Sequence, residues 1–349
     1  MANEQGGESR RVRWGILGTG FIADAFATGV AQSMTGALGA VASRSQASAD
    51  AFAARHPGFR SAHPSYEALV DDPEVDAVYV ATPHPFHREW AVRAARSGKA
   101  VLCEKPVGMS AVEAAEMVEA AKANGTFLME AYMYRLAPQT AAIAKLVSEG
   151  ALGQVMGVAA SFCFRAPFDP GARLFNPLLG GGGILDVGGY TVTMAGLVAG
   201  AAGGGTWEAP THFSGTGLVG ESGVDEYAVA TARYPSGVVA QLSCGVGVEE
   251  NPGGLAIFGT GGSLRVPDAW IPSKFGGSSE MVLHRPGEGS EVIVVESPDF
   301  LYALEADAAG RAILAGRREP EWPALGWAES ESTMAVLDNW RREVGSGLS

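Results

Sequence analysis

From Arg11 to about Met133, short unbroken apolar runs alternate with longer stretches whose apolar residues recur every three or four positions. Runs of the first kind fit strands buried on both faces, and the 3.6-residue period fits helices packed along one side. "RVRWGIL" predicts a strand with Trp14 turned into the core, and "FIADAFATGVAQ" predicts a helix. "ALGAVAS" then reads as a strand and "SQASADAFAARH" as a helix capped by Ser45. "DAVYVAT" is followed by a helix through "HREWAVRAARSG", closed by Gly98, and "KAVLCEKP" by the helix "SAVEAAEMVEAAKANG". That last helix has a capping box, Ser110 to Glu113, and a terminal glycine, Gly125. Regular alternation of strand and helix predicts a doubly wound parallel sheet of the Rossmann type.

Beyond "TFLMEAYMYR" and a helix near Gln139 to Glu149, the pattern changes to β-alternation between glycine-rich turns. "QVMGVAASFCFR", "DEYAVATARYPSGVVAQLSCGVGV", "GLAIFGTGGSLRV", "EMVLHR" and "SEVIVVES" predict strands of a largely antiparallel sheet, with "PSG" at 235–237 as a hairpin turn. Two helices, roughly Asp299 to Leu314 and Ala328 to Val344, end the chain. The fold class is therefore α/β: a disordered tail over 1–10, a dinucleotide-binding domain over 11–133 and an α/β domain over 134–349 that binds substrate and mediates oligomerisation. The last helix is expected to pack back on the first domain.

The 349 residues carry 25 Lys and Arg against 38 Asp and Glu, a net charge of −13 that argues against nucleic-acid and anionic-membrane surfaces. Three scattered cysteines, Cys103, Cys163 and Cys244, suit buried positions in a reducing compartment better than a disulfide framework. With no apolar leader before the first strand, a cytoplasmic location is expected.

Chemistry enters at the strand ends. "GTGFIA" directly follows the first strand: Gly18 permits the tight turn, Gly20 the close approach of a pyrophosphate, and Ala23 the packing of helix on strand. Thr19, Phe21 and Ile22 complete that loop. After the second strand come Ser43 and Arg44, where an NAD site usually has an acid for the ribose diol; a guanidinium there suits a 2′-phosphate, so NADP is favoured and NAD is possible. Thr82, Pro83, His84 and His87 in "TPHPFH", and Glu104 and Lys105 in "EKP", also fall at C-terminal strand ends, where the ligand crevice of an open α/β sheet lies. A metal site is not expected, since no acid or third histidine stands at ligand spacing from His84 and His87. Farther on, "GGGGILDVGGYTV" sets Asp186 and Tyr190 four residues apart, on one face of the helix it predicts. Its glycines, 180–183 with Gly188 and Gly189, would let the chain run close to nicotinamide and substrate.

In this order and at these separations, "GTGFIA", "TPHPFH", "EKP" and "GGGILDVGGY" resemble the Gfo/Idh/MocA oxidoreductases, named for glucose-fructose oxidoreductase, inositol dehydrogenase and the rhizopine catabolism protein. The resemblance covers the chain from Arg11 onward. It implies NAD(P)-dependent oxidation or reduction of sugars, polyols or related hydroxy compounds, and an open sheet that forms a homodimer or homotetramer interface. It also implies that Lys105 contacts the nicotinamide ribose and the reacting oxygen, and that Asp186 and Tyr190 are the acid and the proton-transfer residue. Many members have His in place of Tyr190; a tyrosine is similar to the branch of glucose-fructose oxidoreductase, dimeric dihydrodiol dehydrogenases and NADP-dependent xylose dehydrogenases.

Hydride transfer at a carbinol carbon needs a group that takes or gives the hydroxyl proton. Tyr190 is the candidate, provided that a neighbouring Lys105 ammonium draws its pKa down from about 10. Tyr134, Arg165, Phe168 and Asn176 are further candidates for the substrate pocket, together with Lys105, Asp186 and Tyr190. Two other functions compete, a sensor that binds dinucleotide and sugar without turnover and an NAD-dependent glycosidase.

Overall fold

The computed structural model describes residues 10–249 and 254–346. The expected tail, 1–10, lies outside them except for Arg10. Six strands, β1 (Val12–Leu17), β2 (Gly36–Ala42), β3 (Ser61–His63), β4 (Ala77–Val80), β5 (Ala100–Glu104) and β6 (Leu128–Ala131), form a wholly parallel sheet in the order β3-β2-β1-β4-β5-β6. They are connected through α1 (Phe21–Gln32), α2 (Gln46–Arg55), α3 (Tyr66–Val70), α4 (His87–Arg96) and α5 (Ala111–Asn124). Every residue of β4, β5 and β6 is buried, which is why these strands read as unbroken apolar runs. The Ser45 hydroxyl accepts from Ser48 N, and Ser110 from Glu113 N. In the expected capping box the Glu113 carboxylate reaches Met109 N, one residue before the cap. Two elements, β3 and α3, escape sequence reading because three and five residues are too short to show a period.

The second sheet has eight strands: β7 (Val155–Cys163), β8 (His212–Val219), β9 (Asp225–Arg233), β10 (Val239–Gly245), β11 (Gly254–Gly259), β12 (Gly262–Val266), β13 (Gly277–Arg285) and β14 (Gly289–Ser297). Their order is β14-β13-β12-β11-β7-β10-β9-β8, antiparallel except where β10 runs parallel to β7. The β9–β10 hairpin turns through Gly237 at φ 88°, where "PSG" predicts it. Only β8 has no counterpart in the sequence reading; "HFSGTGLV" is mostly glycine and polar residues and leaves most of its length solvated.

Helices α6 (Pro138–Ser148) and α7 (Gly189–Ala202) pack against this second sheet. α7 is buried from Gly189 to Ala201, the behaviour of a helix that is apolar all round. The run Pro177–Ala202 is long and apolar enough to cross a membrane by length and composition, yet its most apolar stretch is buried inside the fold, and only its start, at Pro177 and Leu178, is exposed. α8 (Leu301–Leu314) returns to the first sheet, where Ala306, Ala309 and Ala312 pack into a core with Trp14, Phe26 and Tyr79. α9 (Trp327–Val344) also packs back: Trp327 Nε1 donates to Leu128 O, and Asp338 accepts from Ala111 N.

Candidate active site

The direction of strand order in the first sheet reverses between β1 and β4, so the loops leaving their C-terminal ends diverge and open a crevice. Gly18 leaves β1 at φ 108°, and a Cβ there would stand 2.9 Å from Ala81 O. Gly20 is the opposite case, since a Cβ would meet nothing within 4 Å. The first bond of α1 is Asp24 N to Gly20 O, at 3.0 Å, which leaves the N–H groups of Phe21, Ile22 and Ala23 without helical acceptors. Ser43 and Arg44 follow β2, Thr82 to His84 follow β4, and Glu104 and Lys105 end and follow β5. The structure brings every residue that the sequence assigns to a dinucleotide onto one cavity of about 500 Å³. Four further lining residues, Tyr66, Ala81, Arg173 and Asp186, complete it; Tyr66, Ala81 and Arg173 were not foreseen.

At one end Arg44 is exposed beside Ser43, whose hydroxyl lies 3.4 Å from that of Thr19. At the other end Lys105 Nζ donates to the backbone carbonyl of Asp186 at 2.8 Å and stands 3.5 Å from its Oδ1. Arg173 grips the same Oδ1 at 2.8 Å and reaches His84 Nε2 at 3.3 Å. Burial opposes ionisation of Asp186, but the charges of Lys105 and Arg173 outweigh it and hold the carboxyl down at about 2.

Asp186 sits in a widened π turn, Ile184–Gly188, at the head of α7, not in the plain α-helix that the sequence predicts. Such a turn adds a residue to the helix and is frequent at functional sites. Asp225 of β9 holds its start by accepting from Ile184 N at 2.7 Å. Proximity also explains the glycines: protein atoms crowd the places where their Cβ atoms would stand. A Cβ on Gly189 would collide with the Tyr132 hydroxyl, and one on Gly183 would lie 2.7 Å from Gly245 Cα.

His87 is a buried staple between loops. Its Nε2 lies 2.8 Å from Thr82 O and its Nδ1 2.9 Å from Pro106 O. Burial lowers its pKa to about 4, so at neutral pH the imidazole donates to one of the two carbonyls. Burial, then the neighbouring His87, also lowers His84 well below the usual histidine value. Glu104 accepts from the Tyr79 hydroxyl and, at 3.2 Å, from Lys105 N; burial raises its pKa against the opposing charge of Lys105.

Several expectations need correction. Tyr190 lies beneath the site with its ring centroid 5.3 Å from Lys105 Nζ, but its hydroxyl donates to Met133 Sδ at 3.4 Å inside a cage of Tyr132, Tyr134, Phe162 and Trp270. Burial raises its pKa well above 10 instead of lowering it. Tyr134 is fully buried, 2.7 Å from the Thr193 hydroxyl, because the 3₁₀ turn Met133–Leu136 swings it inward. Arg165 is exposed at a bridge to Gly247, and Phe168 is exposed against the edge of Phe175. Asn176 uses its side-chain oxygen to cap Leu178 N at 3.0 Å. None of these four lines the cavity.

Residues 12–132 match the oxidoreductase family with an NAD-binding Rossmann fold, and residues 140–265 match the GFO/IDH/MocA C-terminal domain. The chain belongs to the GFO/IDH/MocA oxidoreductase family. Among curated relatives of this family member, trans-1,2-dihydrobenzene-1,2-diol dehydrogenase of Mus musculus is 33% identical over 337 residues, covering 96% of this chain and 97% of the other. The Danio rerio enzyme of the same name is 33% identical over 338 residues with the same coverage. A 3-ketoreductase from Actinomadura kijaniata, solved with NADP and TDP-benzene, superimposes with a TM-score of 0.82 at 27% identity, over 96% of this chain and 98% of that one. Aldose-aldose oxidoreductase from Caulobacter crescentus gives 0.83 at 26%, with the same coverage. Like its relatives, this GFO/IDH/MocA member is an NAD(P)-dependent oxidoreductase acting on CH–OH groups.

Proposed function

We propose that this enzyme transfers hydride between NADP(H) and a hydroxyl-bearing carbon of a sugar, polyol or cyclic diol, with Lys105 at the reacting oxygen. The observation that carries the proposal is the fixed Lys105–Asp186–Arg173 group at one end of a cavity whose other end holds Ser43 and Arg44. The cavity suits a dinucleotide: Gly20 faces open space, and two buried atoms, Thr82 Oγ1 and His84 Nδ1, have no hydrogen-bond partner among the described residues. When bound, the nicotinamide supplies or accepts the hydride. The chain's own part is to hold the substrate oxygen at the Lys105 ammonium, which Asp186, itself gripped by Arg173, keeps from swinging away. Screening sugars, inositols and vicinal diols with NADP⁺, and the matching carbonyls with NADPH, by nicotinamide absorbance tests this reading; no turnover across the panel would sink it.

Arg44 is assigned to the 2′-phosphate. Arg44→Ala is expected to weaken NADPH at least about tenfold more than NADH, as for a lost charge-assisted hydrogen bond. Equal losses in a fluorescence titration would remove the assignment.

Tyr190 is assigned to proton exchange with the substrate oxygen, in a sharper form than the sequence suggests. A phenol whose pKa is raised stays protonated at neutral pH, so the proton-donating form needed for carbonyl reduction is fully populated while the phenolate needed for alcohol oxidation is scarce. Oxidation is therefore expected to climb with pH without levelling off below pH 10, while reduction holds steady near neutrality. Tyr190→Phe is expected to lower turnover about 10²-fold and to flatten that climb. Unchanged turnover and an unchanged profile would leave Tyr190 as a packing residue under Lys105.

A homodimer or homotetramer through the second sheet belongs to the same proposal. It is supported by the open groove of about 790 Å³ that crosses the sheet between Ser161, Gln241, Ser243 and Arg265.

A further inference from the structure

One cation beside the cavity is used by nothing described so far. The loop between β12 and β13 reaches from the second sheet to the start of α1, where Lys274 Nζ lies 5.3 Å from the ring centroid of Phe21 and 5.4 Å from that of Phe275. Both rings are conspicuously solvated, Phe21 at 78% and Phe275 at 81% exposure. Among the described residues no carboxylate pairs with this ammonium, although acids outnumber Lys and Arg by 38 to 25. Exposed aromatic faces hold a cation weakly and leave most of its charge available to an anion.

The loop itself is fixed. Lys274 O accepts from Leu301 N at 3.0 Å, and Phe275 stacks on Phe300 with centroids 5.7 Å apart and planes within 4°. Ser273, immediately before Lys274, is the one non-glycine residue among those described with positive φ, at 48°. The backbone is thus held in a conformation that aims Lys274 at the first turn of α1.

Phe21 lines the cavity, and its N–H is among those left free at the helix start. An anion resting on the N–H groups of Phe21 and Ile22 would lie against the same ring that Lys274 approaches. Two sources of positive potential, the helix terminus and the ammonium, therefore converge from the two sheets on one place, midway between the Arg44 and Lys105 ends. The group of a dinucleotide that falls midway and carries negative charge is its diphosphate bridge.

We infer that Lys274 is a dinucleotide-binding residue, a clasp contributed by the second sheet that pairs with the diphosphate across the Phe21 ring. The inference rests on the dinucleotide reading above. Its test is calorimetric titration of the full-length wild type, Lys274→Met and Lys274→Arg with NADPH, 2′-phospho-ADP-ribose and adenosine 2′-monophosphate. Lys274→Met is expected to weaken the first two about tenfold, equivalent to about 1.4 kcal/mol, and to leave the third, which has no diphosphate, within about twofold. Lys274→Arg keeps the charge and should retain most of the affinity, so a mere packing role would not give this pattern. The fall of NADPH affinity with rising salt should also be shallower for Lys274→Met than for wild type. Equal affinities in all three proteins, or an equal loss for adenosine 2′-monophosphate, would overturn the clasp. Failure of the wild type to bind any of the three would instead overturn the dinucleotide reading on which the clasp depends.

Discussion

Lys105→Met is expected to lower turnover at pH 7 by about 10³-fold in either direction, within the range typical of a group acting on the transferring proton. The reason lies in how tightly the ammonium is placed: its hydrogen bond to Asp186 O is 2.8 Å, Asp186 Oδ1 lies 3.5 Å away, and the Tyr190 ring supports it from below. Met preserves most of the side-chain length and removes the charge. Dinucleotide affinity should change much less than turnover, because Gly18, Gly20, Ser43 and Arg44 are untouched. Single-turnover kinetics separates the two, and a variant that lost binding alone while keeping the rate of hydride transfer would contradict the role given to Lys105. The loss should be accompanied by an upward shift in the Asp186 pKa, since Lys105 is the larger of the two charges holding it near 2.

Arg135→Met is expected to destabilise the fold by about 3–5 kcal/mol, the usual consequence of stranding one member of a buried ion pair. Arg135 is fully buried and donates to Pro323 O at 2.8 Å and to the Glu329 carboxylate, so it fastens the end of the first sheet to α9. Burial already raises the Glu329 pKa against the pull of Arg135. Without the guanidinium that carboxyl would remain folded only as the neutral acid, so the penalty should be smaller at pH 5, where protonation is easy, than at pH 8. Denaturant midpoints at the two pH values check both magnitude and sign. A stability equal to wild type at pH 8 would show that the pair contributes nothing net.

The ease with which the first sheet could be read has a physical basis. Strands such as β4 and β5 are buried on both faces, and α1 ends where its apolar period ends, so one-dimensional pattern and three-dimensional burial coincide. Cofactor candidates were legible for a related reason, since each stands directly after a strand and the topology carries strand ends to one crevice. Arg173 had no such signal. It sits in an irregular segment, "PGARLF", and meets Asp186 only because the chain folds back through two 3₁₀ turns. Tyr134 and Asn176 show the converse, polar groups close in sequence to functional ones whose hydrogen bonds are spent inside the fold. Tyr190 was misjudged in its surroundings: charge from Lys105 was weighed, but the desolvation imposed by four neighbouring aromatic rings was not visible in the sequence.

The widened turn at Ile184–Gly188 makes chain length a functional variable at this place. Each residue of a regular helix advances about 100° around the axis, so residue number fixes direction. Losing a single residue between Asp186 and Tyr190 would let the turn close to an ordinary helix with its flanks in register, but would draw the Asp186 carbonyl, which now accepts from Lys105, back into the helical ladder. The enzyme therefore counts residues here as strictly as it selects them, and a one-residue deletion in this segment would cost Lys105 its closest oxygen partner instead of merely shortening a loop.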